Sequence, residues 1–148
     1  MQVRRSRLSV YAWIERDGFV LLSKIAPGYA SAGQWTLPGG DVEWGEHPED
    51  SLHRELYEET GLKGSIGEQL GIDSAVHEPS EFNGFATLHI VRIIYRMAAE
   101  GTPQVIEIDG SSADAAWLPL SNIGDLPTVD LVSQGQSLAA GNGIKPGS

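Results

Sequence analysis

Residues Leu37–Leu62 read LPGGDVEWGEHPEDSLHRELYEETGL. Pro48 suits the first position of a helix, Glu49 and Asp50 complement the positive end of its dipole, and Gly61 suits the residue that ends it. The pattern predicts a helix from near His47 to Gly61. Within it Leu52 and Leu56 stand four residues apart and turn toward a core. Glu55, Glu58 and Glu59 fall at i, i+3 and i+4, which at about 100° per residue gathers three carboxylates on one side. The centre of that acidic set lies roughly 80° around the helix from the leucines, so the acidic face borders the buried one. Like charges so placed disfavour the bare helix by roughly a few tenths of a kcal/mol per pair. A hard divalent cation is the simplest counter-charge.

Upstream, LSVYAWIE and FVLLSKI flank Asp17-Gly18, a strong hairpin signal that predicts two antiparallel strands. APGYASAGQ reads as a loop before a short strand near Gln34 to Leu37, and Pro38, Gly39 and Gly40 are expected to break regular structure. Downstream, SIGEQLGIDSAVHE has weaker strand character and EPSEFNG is turn-like. Phe85 to Ala98, with LHIVRIIYRM at its centre, is rich in β-branched and aromatic residues and predicts a central strand covered on both faces. VIEI (residues 105–108) predicts a short strand, GSSAD a loop, and AAWLPL a last strand ending at Pro119. A C-terminal helix is expected after Pro127 with Val129, Leu131, Val132 and Leu138 as its apolar members, although Gly135 weakens it. The pattern gives one domain over residues 1–140 and a disordered tail over 141–148.

The chain of 148 residues can bury a core without disulfides, and it has no cysteine, which excludes a thiol nucleophile and a zinc-thiolate site. Arg4, Arg5 and Arg7 precede an apolar run that Glu15 interrupts, and no run approaches the ~18 residues of a membrane span. A protein of the cytoplasm, without an export signal or membrane association, is expected. A net charge of -10 opposes stable attachment to nucleic acid or to an anionic membrane. A small phosphorylated substrate remains compatible, because a bound cation inverts the local field.

Gly40, Glu46 and the run Arg54-Glu55-Leu56-Tyr57-Glu58-Glu59-Thr60-Gly61-Leu62 match the Nudix box, GX5EX7REUXEEXGU with U aliphatic, at all nine specified positions over 23 residues. The chain thus resembles the Nudix hydrolase family, of the MutT kind. Leu37-Pro38-Gly39 and Trp117-Leu118-Pro119-Leu120 are similar to family features as well. The resemblance implies an α/β (α+β) fold with a mixed sheet sandwiched between helices. It also implies hydrolysis of the diphosphate linkage of a nucleoside diphosphate joined to another group X, with Mg²⁺ or Mn²⁺ as cofactor. Carboxylate oxygens suit both ions, which also ligate phosphate oxygens. On that resemblance Glu58 and Glu59 are metal ligands, Glu55 is a further ligand or the base that activates water, and Arg54 orients the box carboxylates. A backbone carbonyl at Gly40 is a further ligand candidate. Glu46, Gly39 and Lys24 are the substrate-binding candidates, with Glu46 reaching into the acidic network from the loop and Lys24 meeting a phosphate.

Each of these residues has a plainer reading. An acidic helical face is usually solvated, Arg54 alone would be a surface ion pair, Glu46 alone a helix-entry acid, and Lys24 a solvated lysine. Trp35 reads as packing and Trp44 as a variable loop residue. Glu107, Asp109 and Asp114 include a candidate additional acid, and His47, His53, His77 and His89 lack metal-ligand spacing. The small size favours a nucleoside triphosphate as substrate, with ADP-ribose as rival. A non-catalytic nucleotide-binding domain is the alternative of another class, but it usually loses box acids. An isomerase acting on isopentenyl diphosphate needs a cysteine that is missing here. Monomer and homodimer both stay open.

Overall fold

The computed structural model describes residues 2–142. Two sheets carry the fold. The first has the order β5-β1-β7-β6, from β1 (Arg4–Trp13), β5 (Gly39–Asp41), β6 (Gly64–His77) and β7 (Thr87–Ala99). β1 and β7 run parallel, whereas β5 and β6 are antiparallel to their neighbours. In the second sheet β3 (Phe19–Ile25) pairs with β2 (Glu15–Arg16), β4 (Trp35–Thr36) and β8 (Ser112–Pro119), all antiparallel. α1 (Pro48–Thr60) and α2 (Asp130–Ala139) complete the layers.

Alternation along β1 explains the sandwich, because successive strand residues face opposite sides of a sheet. Val10 and Ala12 pack with Leu52 and Leu56 of α1, whereas Trp13 packs with Leu131, Val132 and Leu138 of α2. β7 divides in the same way, giving Tyr95 and Met97 to the first core and Ile94 to the second. It is the central strand that its composition predicts.

α1 runs as its sequence predicts. The side chain of His47 accepts the Glu49 N–H at the N-cap, and Gly61 takes the left-handed conformation (φ 70°) that ends the helix. The weaker run after Lys63 forms the whole of β6, because pairing along β7 stabilises it where its own propensity does not. EFN within the expected turn is a short 3-10 helix closed by a capping box between Ser80 and Asn83.

Four expectations are corrected. LSVYAWIE and FVLLSKI do not pair along their length: β1 lies in the first sheet, and around the Asp17-Gly18 turn Glu15 and Arg16 pair with Val20 and Phe19 while the Ile14 carbonyl accepts the Leu21 N–H. Tyr11 and Trp13 serve one core while Val20 and Leu22 enclose it from the second sheet, so burial outweighs the hairpin signal. Gly39 and Gly40 continue regular structure, pairing with Tyr11 and Val10 of β1. VIEI is not a strand; its loop lies over the end of α1, where the Gln104 N–H donates to the Thr60 carbonyl and the Ile106 and Glu107 N–H groups donate to that of Glu58. Those carbonyls have no partner inside the helix, and the loop supplies one. Finally, β8 starts at Ser112, inside the expected GSSAD loop.

The C-terminal helix includes Gly135, where a Cβ would come within 2.9 Å of Leu37 Cδ1 and 3.3 Å of the Trp13 ring. Close packing outweighs the low helix propensity there. Of the tail expected over 141–148, Gly141 and Asn142 still hydrogen bond to Leu138 and Ser137, and the remainder lies outside the described residues.

Candidate active site

A cleft of about 860 Å³ opens where β1, β5, α1 and the start of β8 meet. Glu55, Glu58 and Glu59 line it from α1, and Gly39 and Gly40 from β5. The 80° offset from the leucine stripe has the effect that the sequence predicts: Leu52 and Leu56 are fully buried while the acids reach the cleft.

The three acids differ in setting. Glu59 is 5% exposed. Its Oε1 accepts the Gly39 N–H at 2.8 Å and its Oε2 accepts the Ser112 hydroxyl at 3.0 Å. Only glycine fits position 39, because φ is 147° and a Cβ would lie 2.1 Å from the Val10 carbonyl oxygen. Glu55 lies against Gly40, where a Cβ would come within 2.8 Å of the carboxyl carbon. Glu58 is half-buried beside Glu107.

Arg54 stands among them. Its guanidinium donates from Nε and Nη2 to Glu46 at 3.0 and 2.9 Å, from Nη1 to Glu55 at 3.0 Å and to Glu58 at 3.4 Å, and from Nη2 to the Asp41 carbonyl at 3.1 Å. Glu46 also accepts the Ser51 hydroxyl. Arg54 and Ser51 together hold the Glu46 carboxyl down to about 2. Glu46 in turn raises the guanidinium further above its ordinary value.

Burial drives the other carboxyls the opposite way. It pushes Glu55 up to about 7 despite Arg54. Glu58 is raised by burial and then by Glu107, and Glu59 is raised well above the ordinary range by burial, with Glu55 and Glu58 adding to the effect. One guanidinium shared among Glu46, Glu55, Glu58 and, at 3.8 Å, Glu43 leaves negative charge uncompensated. Among the described residues no three acidic or imidazole side chains close into a ready cage, since Arg54 stands between Glu55 and Glu58. The donors are nonetheless all oxygen and under-neutralised, a set that suits a hard divalent cation with several retained waters.

Not every sequence candidate reaches the cleft. Lys24 is absent from its wall and lies with Nζ 5.8 Å from the Trp35 ring centroid, because Ser23 and Ile25 take the cleft side of β3. Glu46 is also off the wall and acts on Arg54. Trp44 is fully exposed away from the cleft, and Trp35 packs on the second core as read from sequence. Glu107 and Asp109 do line the cleft; Asp114 instead accepts the N–H of Ala115.

Sequence reasoning missed Tyr11, Ser23 and Ser112 in the wall, and Tyr29 and Phe82 where two loops meet it. Burial, with Glu59 adding to it, raises the Tyr11 phenol to about 12. Ser23 carried one legible signal, a lone hydroxyl in the apolar run FVLLSKI.

The NUDIX domain profile matches residues 5–138. The chain belongs to the Nudix family. Over 60 residues it is 48% identical to nucleoside triphosphatase NudI of Escherichia fergusonii, covering 40% of this chain and 43% of that protein. Over 59 residues it is 44% identical to the CTP pyrophosphohydrolase of Escherichia coli, covering 40% and 44%. These alignments span less than half the length of either relative. Among solved structures, the MutT NUDIX hydrolase from Burkholderia pseudomallei is similar along nearly the whole chain, at 30% identity and a TM-score of 0.66, covering 91% of this chain and 97% of that one. Among the described residues no helix is long and apolar enough to cross a membrane.

Proposed function

We propose that this Nudix protein is a Mg²⁺-dependent pyrophosphohydrolase that cleaves the phosphoric anhydride of nucleoside triphosphates or related nucleoside diphosphate derivatives. The observation that carries the reading is the convergence of Glu55, Glu58, Glu59 and Glu107 on one cleft that the half-exposed aromatics Tyr29 and Phe82 also line. Acids at one part of a cleft suit a metal-bound polyphosphate, and exposed aromatic rings suit the face of a base. The length of the cleft supports a nucleotide as well. Tyr11, beside Gly39, and Arg7, which pairs with Ile90, both line it and stand four residues apart on β1, roughly 13 Å along the strand.

Glu55, Glu58 and Glu59 would hold the cation, with the Gly40 carbonyl as a further candidate, and Mn²⁺ can replace Mg²⁺ in an all-oxygen set. When bound, the cation supplies charge neutralisation at the phosphates and a more acidic water. The chain's own groups prepare the rest. Arg54 fixes the direction of Glu55 and Glu58, and Glu46 fixes Arg54. In the metal-free protein burial raises the Glu55 carboxyl to about 7, which makes Glu55 a candidate base as the alternative to its role as a ligand. Tyr11 lines the cleft with a phenol that stays protonated at neutral pH and can serve as a donor. The names of the two bacterial relatives support nucleoside triphosphates as the substrate class, and the chemistry suits a protein of the cytoplasm, where such nucleotides are held.

The test is a panel of nucleoside triphosphates, oxidised dGTP, ADP-ribose and diadenosine polyphosphates, incubated with Mg²⁺, with Mn²⁺ and with EDTA, and resolved for products. Metal-dependent release of pyrophosphate or a nucleoside monophosphate is the expected result. Turnover of ADP-ribose alone would replace the substrate class. Binding without turnover of any nucleotide would identify a regulatory domain.

A further inference from the structure

Ser23 is a serine where β3 should carry an apolar side chain. It is 1% exposed, on the face of β3 that Leu21 and Ile25 share, with Leu21 in the core and Ile25 at the cleft. A hydroxyl buried there is costly unless it is bonded. Its partner is the hydroxyl of Ser112, 2.7 Å away, and Ser112 Oγ lies 3.0 Å from Glu59 Oε2.

The backbone has been altered to bring Ser112 to that place. Along β3 and β8, Ser23 faces Ala115 and Lys24 faces Asp114, so a regular ladder would set Ala113 opposite Ile25. Instead Ile25 faces Ser112, and a bulge interrupts the register between Lys24 and Ile25. A slip of one residue moves a side chain to the other face of a strand. The bulge therefore transfers Ser112 from the far face of β8 to the cleft face, next to Ser23 and Glu59.

Direction follows from counting protons. As a cation ligand Glu59 is ionised, and an ionised carboxylate only accepts while a serine hydroxyl has one proton to give. In that form Ser112 donates to Glu59, which leaves Ser23 to donate to Ser112. With the Gly39 N–H on Oε1, both oxygens of Glu59 are held from behind, and each keeps a lone pair free.

We propose that Ser23 and Ser112 form a two-hydroxyl relay that fixes the carboxylate plane of Glu59 and so presets it for the divalent cation. Ser112 is the positioning residue and Ser23 orients it. The inference rests on the reading of Glu59 as a cation ligand. Partners that orient a ligand in this way contribute on the order of 10- to 100-fold to metal affinity or activity.

The experiment measures Mn²⁺ binding by calorimetry without substrate for the parent protein, Ser112→Ala, Ser112→Thr, Ser23→Ala and Glu59→Gln, with thermal unfolding in EDTA as the check on folding. Ser112→Ala is expected to weaken Mn²⁺ by roughly 10-fold. Ser23→Ala should weaken it less, and Ser112→Thr, which keeps the hydroxyl, should bind as the parent does. The same order in kcat, with KM little changed, supports the relay. Parent-like Mn²⁺ binding by Ser112→Ala, while Glu59→Gln loses it, overturns the relay and leaves the cation reading intact. Parent-like binding by Glu59→Gln overturns the cation reading and the relay with it. If Ser112→Ala unfolds, Ser23→Ala and Ser112→Thr decide, and equal loss in both overturns the relay.

Discussion

Arg54 grips Glu46 at both carboxylate oxygens, Nε to Oε2 at 3.0 Å and Nη2 to Oε1 at 2.9 Å, while its remaining terminal nitrogen reaches Glu55 and Glu58. The fork is what permits this, because a guanidinium presents its donors in a fixed plane and an ammonium does not. Glu46 is held from a second side by Ser51, so the loop acid serves as the anchor and the helix arginine as the arm.

Arg54→Lys keeps the charge and loses the two-point grip. Hydrogen bonds to charged groups contribute roughly 1.5–3 kcal/mol each, so loss of one of them in the transition state lowers kcat by about 10- to 100-fold. The fold should survive, since Arg54 is half-buried at the cleft and outside both cores. Steady-state kinetics beside thermal unfolding checks both halves; a variant with parent kcat would show that the fork does not orient the acids.

Glu59→Gln removes the charge and keeps the shape. The amide oxygen can still accept the Gly39 N–H, and the amide nitrogen can donate to Ser112 Oγ in place of the lost bond. Metal-dependent turnover should vanish. The Tm of the metal-free protein at pH 8 should hold or rise, by about 2–4 °C for each kcal/mol of relieved charge burial. Undiminished turnover would remove the metal role of Glu59.

The box was legible because its residues act within one helix, where spacing alone sets direction: Glu55, Glu58, Glu59, Leu52 and Leu56 all lie where a period of 3.6 places them. Contacts between distant segments left no such trace. Ser112 reaches Glu59 only through a bulge, and Glu107 reaches Glu58 only because its loop satisfies the end of α1. The long strands were readable from composition, but the short ones were not, since VIEI is a loop and Gly39–Asp41 is β5. Partner choice was not readable either, because Asp17-Gly18 makes a turn without deciding which sheet the preceding residues join. The glycine pair failed as a breaker because Gly39 and Gly40 are small where β5 must lie close to β1 and Glu55. Lys24 carried a charge with no record of which face of β3 it would take.

Stability of the metal-free protein should peak in mildly acidic solution. Glu46 sits at about 2, below its ordinary 4.5, so its contribution is full above about 4.5 and is lost as pH falls toward 2. Glu55 sits at about 7, above its ordinary 4.5; between those values the unfolded chain releases a proton that the folded protein keeps, and stability falls as pH rises through that window. Glu58 and Glu59 are raised too and act in the same direction. Thermal unfolding in EDTA across pH 3–8 should therefore show a maximum near pH 5, by the same linkage. Added Mg²⁺ should raise Tm more at pH 8 than at pH 5. A Tm that climbs steadily to pH 8 without metal would contradict the crowding of uncompensated acids.

Gly39→Ala tests the backbone on which the acids rest. The added methyl would lie 2.1 Å from the Val10 carbonyl oxygen and 2.7 Å from Tyr11 Cα, at a φ of 147° that side chains rarely adopt. Val10 and Tyr11 cannot retreat, since β1 is held on its other edge by β7 through the pairs Val10↔Ile93 and Tyr11↔Ile94. Backbone strain of about 1–3 kcal/mol and a similar cost of overpacking add at this position. β5 should separate from β1, and the Gly39 N–H should leave Glu59. Two losses are expected together, a stability lower by about 2 kcal/mol or more in urea unfolding and a weaker Mn²⁺ isotherm. Gly45→Ala is the control: its φ of 81° is also positive, but nothing lies within 4 Å of an added Cβ, so stability should fall by no more than the conformational strain and metal binding should not change.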